Sequence, residues 1–349
     1  MNYYFMLLVA FYILTLYSIK KYGFQKVKTS KKYYIMAFLL LILFLILRSD
    51  KVGIDNNNYK SIFQYCHDLN FIDVISYERH EIGYKYYNKI ISLIYYNFNF
   101  FIIITAILSM IGVYYFIKNN SKNYIYSLLI FITFNFYGFF FGIYRQVLAI
   151  SILLYSLKYV KERQLKKFIL CVFLASLFHK TALIFLIVYI LPKIKINDIL
   201  VRIWILLTLL VLIIKSTIIQ FILGYIYQPA EAIGKSGEGY KMLLLLFILS
   251  LICYCYQKKL LKQDKNNIVF INMIFVATMI QCISTIFSNT YRITLYYSFA
   301  MVIIIPNILE IMKPKELKRF AVVLMFICLT MYYYYTTTNL INYVPYEFI

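Results

Sequence analysis

Eleven apolar stretches follow one another along this chain, at residues 3–19, 33–47, 98–117, 124–142, 146–160, 168–191, 199–223, 241–256, 267–288, 293–312 and 320–338. A helix that crosses a bilayer needs about 17–25 such residues, and a soluble core has no room for so many. Of the 349 residues, 63% are hydrophobic and 14% are charged, against about 45–50% and about 25% in soluble domains. That balance excludes a cytosolic enzyme, a secreted disulfide scaffold and a disordered chain. The expected fold is an all-α polytopic integral membrane helix bundle of about 10–11 transmembrane helices, forming one domain over residues 1–349. The first stretch lacks a basic leader and a small-x-small cleavage site, so it reads as an uncleaved span.

The net charge of +22 would suggest a nucleic-acid partner on a soluble protein. Here the lysines and arginines sit in short runs between apolar segments, as in the cytoplasmic loops of membrane proteins, so no nucleic-acid partner is expected. Residues 20–32 carry six lysines and no acid, 158–167 five basic residues and one acid, and 257–267 and 313–319 four and one each. Residues 48–96 are balanced at six basic and six acidic, so they are expected to form the outer, extracytoplasmic loop. Both 158–167 and 192–202 then read as cytoplasmic with a single apolar stretch between them. The simplest resolution is that 168–191 does not cross, but is a re-entrant or broken helix interrupted near His179–Lys180. A break of 199–228 near Lys215 is the alternative.

An arginine at the centre of a span costs about 2.5–3.5 kcal/mol. Arg48, Arg145 and Arg292 lie at the edges of apolar runs, and His179 lies inside one. Taken singly, each arginine would snorkel to headgroups and the histidine would pack between helices. The expected topology sets them on one face, together with loop 48–96, the 138–145 turn, loop 224–240 and the 289–292 turn. Most outer-loop acids, Glu78 among them, read as a solvated face. Asp55 follows Gly53 in a turn signal. Glu81 and Gly83 open a stretch whose Tyr84, Tyr87, Ile91 and Ile94 recur at amphipathic helical spacing. The asparagines at 56–58 and the tyrosines suit sugar hydroxyls and ring faces.

The six cysteines form no C-x-x-C pair or Cys/His cluster, so neither a metal site nor a disulfide framework is expected. No P-loop, D-x-D, H-E-x-x-H or G-x-S-x-G is present. Gly234-Lys235-Ser236-Gly237 reads as loop punctuation.

The order of LRSDKVGIDNNNY, ERHEIGYKYYNKII, YRQVLAISILLYSLKYV, KKFILCVFLASLFHKTALIFLIVYIL and YRITLYY resembles the EpsG family of membrane proteins, relatives of Wzy-type polysaccharide polymerases. The resemblance covers residues 1–310 and is strongest at 44–60 and 140–192. It implies a role in exopolysaccharide, capsule or O-antigen assembly in a bacterial cytoplasmic membrane, with undecaprenyl-diphosphate-linked oligosaccharide as donor and acceptor. It also implies contact with membrane lipid, and a chain-length regulator and flippase of the same pathway as partners. The matching positions are Arg48, Gly53, Asp55, Glu81, Gly83, Tyr84, Arg145, Gln146, His179 and Arg292.

The chemistry of such a transfer fits these residue types. A diphosphate leaving group needs fixed cationic donors, a part expected of Arg145 and Arg292. The acceptor hydroxyl needs a base near neutral pH, expected to be His179, or otherwise Glu81 with a raised pKa. Arg48 with Asp55 is expected to order the outer loop, and Tyr84 and Gln146 to contact substrate. With arginines on the phosphates, neither metal nor cofactor is required. A flippase of lipid-linked oligosaccharide would also use cavity arginines, but would show internal symmetry, which the sequence lacks. A ligase or acyltransferase at the same face, or a non-catalytic subunit of the assembly complex, is a further alternative.

Overall fold

The computed structural model describes residues 3–53, 55–76, 80–226, 239–285, 290–339 and 346–348. Its backbone divides into two compact units, Met1–Leu183 with Met312–Ile349, and Ile184–Ile311. The chain is all-α, as expected. In order its helices are α1 (Tyr3–Tyr22), α2 (Phe24–Val27), α3 (Lys31–Ile46), α4 (Asn56–Asp68), α5 (Ile82–Ile94), α6 (Phe98–Asn120), α7 (Tyr124–Thr133), α8 (Tyr144–Lys161), α9 (Leu165–Ser176), α10 (Asp198–Ile226), α11 (Tyr240–Gln263), α12 (Asn267–Ser284), α13 (Tyr291–Ser298), α14 (Met301–Ile311) and α15 (Lys315–Asn339).

Where described, each of the eleven apolar stretches contains helix, with irregular turns inside 124–142 and 168–191. Among the described residues, six segments are long and apolar enough to span a bilayer: Tyr3–Tyr22, Phe98–Asn120, Tyr240–Gln263, Asn267–Ser284, Tyr291–Ile311 and Lys315–Tyr334. Helix α10 is also long, at 29 residues, whereas other stretches are short, charged or interrupted for identifiable reasons. Helix α3 has 16 residues, or about 24 Å at 1.5 Å per residue. Helix α8 carries Arg145, Lys158 and Lys161. The run at 124–142 breaks after α7, where Asn135 takes a left-handed φ of 62°, and it continues as a short 3-10 turn, Tyr137–Phe141.

Apolar side chains cover the outer faces of these helices. Ile13 and Leu16 on α1 are 62% and 65% exposed, and Phe320 and Met331 on α15 are 66% and 68% exposed. Such surface is untenable in water but suits lipid tails, so the chain is a multi-pass membrane protein. A hollow of about 330 Å³ between α3 and α6, lined by Ile35, Phe38, Leu39 and Met110 among others, has the same lipid-suited character.

Polar side chains inside the bundle satisfy one another. In the first unit Tyr12 and Thr330 share a 2.8 Å hydrogen bond, and Tyr333 donates to the Tyr4 carbonyl at 3.1 Å, fastening α15 to α1. Helices α6 and α8 approach so closely that a Cβ on Gly112 would lie 2.0 Å from the Ser151 carbonyl oxygen. Small residues at helix crossings permit such approach. In the second unit Asn272 donates to the Leu191 and Ile194 carbonyls at 2.7 and 3.0 Å, and Trp204 donates to the Phe275 carbonyl at 3.2 Å.

The expected break at 168–191 is present. Helix α9 stops at Ser176, residues 177–179 form a turn, and a 3-10 segment follows over Lys180–Tyr189. The alternative break near Lys215 is absent, because α10 runs helical from Asp198 to Ile226. The polar stretch 48–96 holds two helices, α4 and α5, where the amphipathic spacing predicts only the second. Helix α4 opens on three asparagines, poor helix formers, and owes its stability to packing. Its Tyr59, Ile62, Phe63 and Cys66 enter a buried core with Tyr84, Ile91, Phe98, Phe101 and Tyr144. Two lysines of α5 complete the joint. Lys89 Nζ donates to the His67 and Leu69 carbonyls at the end of α4, at 2.7 and 2.6 Å, and Lys85 Nζ to the Ile75 carbonyl at 2.8 Å. Cations at a helix C-terminus satisfy its last carbonyls. Glu78, the 227–238 part of loop 224–240 with its Gly234–Gly237 segment, and Asn289 of the 289–292 turn lie outside the described residues.

Candidate functional site

The site is assembled where the N-terminus of α5 meets the turn after α9. The first amides of a helix have no partner within it. Here the Tyr84 amide donates to the Leu177 carbonyl at 3.1 Å. Glu81 occupies the N-cap position of α5 but its side chain does not cap that helix. The carboxylate reaches across instead. Its Oε1 accepts from the Lys180 amide at 3.1 Å and lies 3.4 Å from His179 Nδ1. Its Oε2 accepts from Arg145 Nη1 at 2.7 Å.

Glu81 and His179 are both buried, at 9% and 8% exposure, so this is no surface ion pair. Burial alone would raise the Glu81 carboxyl. The His179 imidazole, the Lys180 amide, its own amide and the Arg145 charge outweigh burial and hold it well below the usual carboxylate range. Glu81 is therefore ionised at neutral pH, contrary to the raised pKa expected of a carboxylate base. The His179–Glu81 geometry falls outside a well-formed hydrogen bond, and neither imidazole nitrogen has a hydrogen-bond partner among the described residues. We read the 3.4 Å approach as an electrostatic contact. Arg145 Nε is likewise unpartnered, and the Tyr59 hydroxyl adjoins the guanidinium.

Gly83 makes the junction possible. A Cβ there would stand 2.7 Å from Leu177 Cβ and 2.8 Å from the Leu177 carbonyl oxygen, the acceptor of the Tyr84 amide. Gly83→Ala is expected to force α5 off the turn, with a cost of about 1–3 kcal/mol typical of overpacking. A lower melting temperature in detergent, with reduced activity below that transition, would be the signature. Unchanged stability would show that the junction gives way freely.

Arg48 belongs to an adjoining cluster. It is fully buried, with Nη2 donating to the Tyr144 hydroxyl at 2.9 Å and the Phe140 carbonyl at 3.3 Å, and its guanidinium lies 4.6 Å from the centre of the Phe141 ring. The Tyr144 hydroxyl donates to Asn56 Oδ1 at 2.7 Å. The Asn56 amide donates to the Asp50 and Val52 carbonyls, both at 2.9 Å. The residue that ties Arg48 to the loop is thus Asn56, through Tyr144, where the sequence reading looks to Asp55. Asp55 stands at the start of α4, and no side-chain cap bond forms there.

Neighbouring residues on a helix point about 100° apart at 3.6 residues per turn. The first turn of α8 therefore serves two clusters, Tyr144 facing Arg48 and Arg145 facing Glu81. Tyr84 is buried in the aromatic core beside Tyr59, ring centres 6.0 Å apart. Gln146 is buried on α8. Arg292 is exposed on the first turn of α13, in the second unit. The sequence reading did not single out Tyr144 or Tyr59, and it gave Asn56 to sugar hydroxyls, whereas that side chain is buried and bonded within the protein. Only the asparagine run and the YR pair hinted at them.

In a comparison with family models, the model described as the EpsG family matches residues 31–348. The comparison with curated proteins finds no match, and neither does that with solved structures.

Proposed function

Because the chain belongs to the EpsG family, a family of Wzy-like polysaccharide polymerases, we propose that it joins undecaprenyl-diphosphate-linked oligosaccharide repeat units at the outer face of a bacterial cytoplasmic membrane. The observation that carries this reading to particular residues is the clasp at Glu81, where one buried carboxylate holds a guanidinium at 2.7 Å and faces an imidazole at 3.4 Å.

The hydroxyl oxygen of the acceptor sugar attacks the anomeric carbon of the donor. The carbon–oxygen bond to the diphosphate breaks, and the electron pair leaves with undecaprenyl diphosphate. Arg145 stabilises that departing charge. Its bond to Glu81 uses one of five N–H donors, and a guanidinium fork matches phosphate oxygens without a metal ion. His179 takes the hydroxyl proton. Imidazole is the side chain that ordinarily changes charge near neutral pH. Glu81 orients both groups and stabilises the imidazolium once formed, as carboxylates do in hydrolase triads. Its lowered pKa suits that part better than the part of a base.

Purified protein reconstituted with lipid-linked repeat units is expected to yield a ladder of products rising by one repeat. Movement of intact units across the bilayer with no ladder would identify a transporter and overturn the reading.

A further inference from the structure

A second polar hollow, of about 290 Å³, lies where the middle of α4 faces the loop entering α6. Its wall combines the Asp50–Lys60 ion pair, closed at 2.6 Å, with Gln64, Phe63, Tyr96 and Asn99. Tyr96 is supported by neighbouring rings, lying 4.0 Å from His67 and 5.9 Å from Phe63 in near-parallel stacks. It still leaves 52% of its surface exposed. Asn99 Oδ1 is buried and has no hydrogen-bond partner among the described residues. Asn97 has another task, since its Oδ1 caps α6 by accepting from the Phe100 amide at 3.1 Å.

We propose that this hollow is a sugar-binding subsite that holds one pyranose ring of the glycan at a distance from the reacting carbon. A propped aromatic ring offers its face to the C–H groups of a sugar. Planar amides and a carboxylate offer paired donors and acceptors to adjacent hydroxyls. The ion pair neutralises itself, so the wall suits an uncharged ring and neither repels nor selects phosphate. The hollow also shares its foundation with the Glu81 clasp. Phe63 on its wall is one helical turn from Tyr59, which adjoins Arg145, a separation of about 6 Å along α4. The clasp and the hollow thus draw on adjacent turns of α4, the arrangement expected if one glycan contacts both. This assignment rests on the polymerase reading, but its binding test does not.

The probe is a set of oligosaccharides made by partial acid hydrolysis of the cells' own surface polysaccharide, free of lipid and diphosphate. Binding to the purified full chain is measured by ligand-observed NMR. Tyr96→Ala is expected to weaken binding about tenfold or more. Gln64→Ala, at an exposed position that leaves folding undisturbed, is expected to weaken it measurably, and Tyr96→Trp to restore it. Fragments that fail to bind the wild-type chain, or bind the Tyr96→Ala and Gln64→Ala chains equally well, would overturn the subsite. A missing ladder in the turnover assay with sugar binding intact would count against the polymerase reading alone.

Discussion

Arg145→Ala protein is expected to make no detectable polymer, while lipid-linked single repeats accumulate. Loss of one preorganised donor to a developing negative charge lowers turnover by about 10²–10³-fold, enough to erase a ladder. The substitution also strips Glu81 of its nearest cation. Removal of one partner from a fully buried pair costs about 3–5 kcal/mol; here Arg145 is partly exposed, and the His179 and Lys180 contacts at 3.4 and 3.1 Å remain to steady the carboxylate, so the cost is smaller. Stability and catalysis are separated by Arg145→Lys. Lysine keeps the charge opposite Glu81 but lacks the planar fork that grips a diphosphate bidentately. The lysine variant is expected to melt near the wild type and still lose most of its turnover. Normal chain length in Arg145→Ala cells would remove Arg145 from the mechanism.

The helices were legible because hydrophobic period and charge runs are local properties. Helix appears in every one of the eleven apolar stretches where they are described, and the break near His179 followed from loop charge alone. What remained hidden depends on distance along the chain. Arg145 meets Glu81 across 64 residues, and the Lys180 amide meets it across 99. No periodicity couples such positions. Arg145 and His179 were visible as polar side chains at or inside apolar runs, and Glu81 as the head of an amphipathic stretch, but nothing marked the first two as partners of the third. Asp55 was favoured over Asn56 because a turn signal marks a place and not a hydrogen bond. Helix α4 was invisible because its sequence does not favour a helix until Tyr59 and Phe63 are buried against α5 and α6.

The junction joins these two kinds of information. Gly83 is legible as a glycine beside a predicted helix start, yet its necessity appears only in the 2.8 Å that would separate an added Cβ from the Leu177 carbonyl oxygen. The broken helix and the amphipathic helix therefore form one device. The turn after α9 presents an imidazole and an amide, and the end of α5 presents the carboxylate that receives both. Irregular backbone in a membrane protein persists where protein covers it or water reaches it, and the α5 terminus supplies that cover.

His179→Gln is the sharper test of chemistry, because glutamine retains hydrogen-bonding capacity opposite Glu81 but cannot accept and release a proton near neutral pH. General-base assistance contributes about 10²–10⁴-fold, and a loss of that order in turnover is expected. The apparent affinity for lipid-linked substrate should change little, since the proposed mechanism gives the diphosphate to Arg145 and not to the imidazole. A packing role for His179 would predict the opposite pattern, with altered melting and modest kinetics. Chemical rescue separates the two further. A His179→Gly chain, with space in place of the ring, is expected to regain turnover when imidazole is added, in proportion to its free-base form. In these variants Glu81 loses the His179 contact but keeps the Lys180 amide and the Arg145 guanidinium, which still favour its ionised form over the role of a base. By the same linkage, its stabilising contribution is fully present above the ordinary carboxylate pKa and disappears only as pH falls through its own, lower value. A loss of activity between pH 7 and pH 5 therefore cannot be assigned to Glu81. If His179→Gln supports wild-type chain growth, or if imidazole leaves the glycine variant inert while substrate still binds, the proton has another acceptor.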